Sequence, residues 1–89
     1  MSAGFVGMDP AQAQALATKM NNAVSAINQQ IQALTTAVNG VQWKGSDAER
    51  FKQNWSGTCV PSLKKVAETL RTASTNLKKE AAQQLATSK

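Results

Sequence analysis

Gly40-Val41-Gln42-Trp43-Lys44-Gly45-Ser46 decides the fold, because this short connector separates two long runs of helical periodicity. On its upstream side Asn39-Gly40 reads as a helix stop, with Gly40 free to adopt the left-handed cap conformation. On its downstream side Ser46 and Glu49 have the spacing of a capping box, and Asp47 adds negative charge where a helix start favours it. A link this short leaves the flanking helices side by side and antiparallel. The spacing therefore predicts an all-α chain of one domain, residues 1–89: helix 1 over about 10–39, a turn over 40–46 and helix 2 over about 47–85.

Upstream, Asp9-Pro10-Ala11-Gln12 reads as an N-cap, a proline at the first helical position and a reciprocating glutamine. Behind it Ala13, Ala17, Met20, Val24, Ile27, Ile31, Leu34, Val38 and Val41 fall in steps of four and three, the pattern of a heptad seam. Lys19 is the only charged residue between Pro10 and Gln42. The second stripe runs through Ala48, Phe51, Trp55, Cys59, Leu63, Val66, Leu70, Ala73, Leu77, Ala81 and Leu85. From Phe51 to Leu63 its steps are all fours, a stutter that unwinds a left-handed supercoil locally. Gly57 and Pro61 fall in the same stretch, so a kink or one-turn break is expected near 57–61. The alternative is two shorter helices separated by a loop at 56–60. Helices of roughly 30 and 37 residues make a rod of about 45–55 Å.

A domain of this length buries only about 60–65% of the surface that its unfolded form exposes. Chains this small commonly gain support from disulfides, metals or association. With no His and a single cysteine, Cys59, no internal disulfide and no zinc or iron–sulfur pattern can be written. Association is what remains, and two hairpins pairing into a four-helix bundle would cover the aromatic residues and the aliphatic seams. The pairing residues expected are Met20, Val24, Ile27, Ile31, Leu34 and Val38 on helix 1, with Phe51, Trp55, Leu63, Val66, Leu70 and Leu77 on helix 2.

Catalysis is poorly supplied, since the lack of His and Tyr leaves five scattered carboxylates and the lysines as acids and bases. Capping and surface pairing account for Asp9, Asp47, Glu49, Glu68 and Glu80, and Cys59 reads as a packed thiol. No enzyme, cofactor, metal site or small-molecule substrate is expected. The N-terminal stretch lacks a basic segment followed by an apolar one, so no general secretory signal is read there. No apolar run approaches the roughly 20 residues that a membrane span needs.

Nine of the ten Lys and Arg residues lie from Lys44 onward, which puts nearly all of the +5 net charge on the second half. A basic helix face can serve nucleic acid or anionic lipid. Here Lys64, Lys65, Arg71, Lys78 and Lys79 are interspersed with Glu68 and Glu80, the pattern of a solvated face. An acidic pairing hairpin would gain rate and selectivity from it. Trp43 in the turn has two readings: an indole that closes the end of both seams, or a residue presented to a partner.

The length, the two helices, the central Trp43-x-Gly45 and the downstream Phe51 and Trp55 resemble the WXG family, the small ESAT-like proteins of type VII (Esx) secretion in Gram-positive bacteria. The resemblance covers the whole chain. It implies a hairpin that dimerises with itself or a related WXG hairpin, made in the cytoplasm and secreted folded without a leader. It also implies action as substrate, chaperone or targeting partner, with a secretion ATPase and often a larger effector as further partners. The family's export signal, a Tyr followed after three residues by an acid, is missing because the chain has no Tyr. Asn76 to Glu80 keeps the acidic spacing alone, making Lys78, Lys79 and Glu80 a candidate export region or else leaving the signal to the partner. The thinning stripe beyond Leu77 is expected to fray. The rival functions are a basic nucleic-acid-binding helix pair and a structural adaptor.

Overall fold

A computed structural model of the chain describes residues 8–87. Among these residues there are helices and no strands: α1 over Pro10–Gly40, α2 over Ser46–Asn54, a π-helical turn over Trp55–Cys59 and α3 over Val60–Thr87. α1 packs along α3, and α2, the π turn and α3 follow one another without a loop, giving a helical hairpin. It is a rod of 65 × 18 × 15 Å. That is longer than the roughly 45–55 Å expected from the helix lengths. The second arm stays helical through consecutive segments of 9, 5 and 28 residues. At ~1.5 Å per residue such an arm runs for about 63 Å.

α1 begins where Asp9 caps it: the Asp9 side chain accepts a hydrogen bond from the Ala11 amide at 3.0 Å, and Pro10 occupies the first turn. Its end differs from the expectation. Gly40 is the last helical residue and Val41 leaves in an extended conformation, so no left-handed glycine closes this helix. The left-handed position is Gly45, with φ 113° and ψ 175°, a region essentially confined to glycine. Gly45 is also the residue before α2, whose start carries no side-chain cap bond; Ser46 lies inside the helix, and the expected Ser46–Glu49 capping box does not form. Instead the Gly45 carbonyl accepts the Glu49 amide at 3.1 Å, while Asp47 and Glu49 supply negative charge to the first turn.

The stutter has a concrete form. Three turns in steps of four use about one residue more than α-helical winding accommodates. The π turn takes up that residue: the Val60 amide bonds to the Trp55 carbonyl, five residues back. Pro61 follows directly. It has no N–H to give, and its ring would crowd the carbonyl of Gly57 in a regular α-helix, so a widened turn just before it relieves the clash. Neither the loop at 56–60 nor a break occurs.

The seam between the arms is made mainly of small residues. Ala13, Ala17, Val24 and Ile31 of α1 are buried with Ala48, Ala67, Ser74 and Ala81 of the second arm. Ser74 is fully buried, and its hydroxyl donates to the carbonyl of Ala17 on the facing helix at 2.9 Å, a reach that needs closely approaching backbones. Towards the turn the Trp55 indole Nε1 donates to the Thr35 hydroxyl at 3.0 Å. The far end continues to pack: Ala81 is fully buried against Ala13, with Met8 and Leu77 beside them. α3 stays helical past Leu77 as far as Thr87. Residues 88–89 lie outside the described residues, as do residues 1–7 of the segment read for a leader.

Candidate pairing surface

A seam of alanines buries little apolar area per residue, and the larger side chains lie elsewhere. Leu16, Leu34, Val41, Trp43, Phe51, Val66 and Leu85 are all exposed to a substantial degree. Covering one such side chain completely contributes about 1.5–3 kcal/mol, so each retains on the order of 1 kcal/mol that a partner could supply.

Most of these residues share one flank. On α1, Leu16, Met20, Ala23, Ile27, Leu34 and Val38 are spaced by threes, fours and a seven, which aligns them in one stripe beside the buried Ala17, Val24 and Ile31, and Val41 follows just past the helix end. On α3, Leu63, Val66, Leu70, Ala73 and Leu77 line the matching edge of the row Ala67, Ser74, Ala81. The two stripes meet at the turn, where Ala37, Val38, Val41, Trp43, Phe51 and Lys52 enclose an open recess of about 240 Å³. The Trp43 and Phe51 rings stand 5.8 Å apart, tilted by 47°. On the opposite flank a second groove between the arms is bordered by Ile31 and Val60 together with the polar Asn28, Gln32, Thr35, Thr36, Ser56 and Lys64.

The residues expected to pair thus divide into three groups. Val24 and Ile31 are buried inside the hairpin and face its own second arm. Met20, Ile27, Val38, Trp55, Leu63, Leu70 and Leu77 are half-buried, spanning the inner seam and the flank. Leu34, Phe51 and Val66 are exposed on the flank. Leu16 belongs with them, although heptad spacing alone leaves it outside the stripe on α1. The stripe expected on the second arm matches the seam in part: Ala48 and Ala81 are buried and Leu63, Leu70 and Leu77 half-buried, but Val66 is 50% exposed, and Ala67 and Ser74, outside that stripe, take inner positions. The recurrence of Ala67, Ser74 and Ala81 at every seventh position is the signal that marks the true seam.

Trp43 is not a plug. It is 45% exposed and lies on the apolar flank with Phe51 instead of sealing the seams. Gly45 has open space where a side chain would stand, so its role is conformational. Lys78 and Lys79 are exposed and Glu80 is half-buried on the helical end of α3, adjacent to the packed Ala81. Cys59 is half-buried and unbonded to another cysteine. Among the described residues no group of three or more His, Cys, Asp or Glu is placed to hold a metal ion, and no helix is long and apolar enough to cross a membrane.

No family model, curated protein or solved structure matches this chain.

Proposed function

We propose that this chain is a non-catalytic WXG-type pairing protein: it joins a second helical hairpin in a four-helix bundle and leaves a Gram-positive cell by the type VII route as substrate, chaperone or targeting partner. The observation that carries the pairing is the continuous apolar flank, with its largest side chains uncovered while the inner seam is alanine-rich. The turn supports the WXG reading further, since Gly45 adopts a glycine conformation and Trp43 is presented on that flank. A secretion ATPase and a larger effector are the further partners this reading calls for.

The test is export from a Gram-positive host that carries the secretion system, with and without its ATPase. The chain should reach the medium only when the ATPase and the pairing partner are both present. Trp43→Ala should lower export more than it lowers the folded fraction, measured by melting of the same variant. Replacing Lys78, Lys79 and Glu80 with alanine probes the candidate export region without removing Ala81 from the seam. Export that ignores the ATPase, or a Trp43→Ala loss that only follows the folded fraction, refutes the proposal.

A further inference from the structure

We infer that residues 41–59, the turn with α2 and the π turn, open from α1 as one cooperative unit and unwind as far as Pro61, while α1 and α3 stay zipped. The inference concerns the single hairpin and does not depend on the pairing reading. Burial divides the molecule at this point. Ala13, Ala17, Val24 and Ile31 close with Ala67, Ser74 and Ala81 along the far part of the rod, whereas Ala48 is the one buried residue between 41 and 59. Nearer the turn two open recesses interrupt the packing: about 240 Å³ beside Trp43 and Phe51, and about 460 Å³ bordered by Ile31, Thr35, Ser56 and Val60. Among the described residues, one side-chain hydrogen bond spans the arms there, from the Trp55 indole to the Thr35 hydroxyl.

Local chemistry sets the boundary at Pro61. α2 has nine residues and no side-chain cap bond at its start. Released from α1 it is too short to hold by itself, since helices under about 12–15 residues are marginal in water. Gly57 lies within the π turn and gains more freedom on unwinding than any other residue type would. Pro61 is a liability only while helix precedes it. In the first turn of a helix its missing N–H is one that finds no partner in any case, and its φ is already helical. α3 therefore starts at Pro61 without penalty once the turn before it unwinds. Two forms of the second arm compete: the long arm, held by Ala48 and the Trp55–Thr35 bond, and a short arm beginning at Pro61, which is the minor state. Trp43, Phe51 and Trp55 all lie in the opening unit, so a partner that takes these aromatics in the open form shifts the population towards it.

Native-state hydrogen exchange on the full chain is the test, read on the amides from Glu49 to Val60 and on those from Ala67 to Ala81. The first group should be at least ~tenfold less protected than the second. Two substitutions then separate opening from whole-molecule unfolding. Thr35→Val removes the acceptor of the Trp55 bond, which the open and the unfolded forms both lack, so the two groups should exchange faster by a similar factor. Ser74→Ala removes a seam bond that the open form keeps. It should speed the second group roughly twofold to tenfold and leave the first unchanged. Should Ser74→Ala fail to fold, urea on the wild type draws the same distinction: opening exposes less surface than unfolding, so protection of the first group should fall with the shallower slope. Equal protection of the two groups, equal acceleration of both by Ser74→Ala, or equal urea slopes overturns the inference. A weakly protected first group that ignores Thr35→Val overturns it as well, because residues would then fray one by one without the latch.

Discussion

Three residues separate conformation, packing and presentation. Gly45 holds φ 113°, and nothing lies within 4 Å of where a Cβ would stand, so an alanine there meets backbone strain without a steric clash. Gly45→Ala should therefore cost about 1–3 kcal/mol in a thermal melt, whereas D-alanine, for which this conformation is unstrained, should cost nothing or stabilise slightly. Equal melting of the two isomers would show that the turn does not impose this geometry. Ser74 is fully buried with its hydroxyl on the Ala17 carbonyl. Ser74→Ala should lose about 0.5–1.5 kcal/mol with that bond, and Ser74→Leu about 1–3 kcal/mol through overpacking between close backbones. A leucine that stabilises the hairpin would contradict the small-residue seam. Trp43, by contrast, is half-exposed. Trp43→Ala should accordingly cost the isolated hairpin well under the ~3–5 kcal/mol of a buried aromatic.

The elements are legible in the sequence because caps, turn glycine and heptad spacing agree, and two long helices follow from that agreement. What is not legible traces to side-chain size and to winding. Taking the largest apolar residues as the seam puts Val66 inside, whereas close packing selects Ala67 and Ser74 and pushes Val66 to the flank. Glycine next to a helix reads as a C-terminal stop at Gly40, while the turn uses Gly45. The steps of four around Pro61 mark an irregularity in the right place, but a kink, a break and a π turn leave the same trace in sequence. The π turn makes its own prediction, since it holds one residue that α-helical winding does not need. Removing Thr58 from the turn together with Pro61→Ala should restore a regular helix and keep α3 in phase with α1. Removing Thr72, an exposed residue within α3, should instead pull Ser74 and Ala81 from the seam. Every residue that follows such a deletion rotates by about 100° around the helix. Circular dichroism melts compare the two deletions, and similar losses in both would mean that the turn is not a removable insertion.

As a whole, the molecule is a thin rod with a radius of gyration of 19.0 Å, and its small-residue seam leaves the bulkier side chains along one side. That placement fixes the geometry of assembly. An apolar stripe reaching from Leu16 to Val38 on α1, with Leu77 to Leu63 beside it on α3, can be covered along its length only by a partner lying parallel to the rod. A contact confined to the Trp43–Phe51 recess would join rods at their ends and leave the stripe in water. Small-angle scattering distinguishes these outcomes on the associated hairpins. Lateral pairing sets the two hairpins about 10 Å apart, a spacing far shorter than the rod itself. The maximum dimension should then stay close to the 65 Å of the single rod, and the radius of gyration should rise only slightly. End-to-end pairing would instead separate the centres by a whole rod length and nearly double both quantities. Leu34→Asp and Val66→Asp provide the control, because both side chains are exposed in the single hairpin and their replacement should abolish the complex while leaving the hairpin's own melt nearly unchanged. A long, thin complex that survives these two substitutions would move the pairing surface from the flank to the turn.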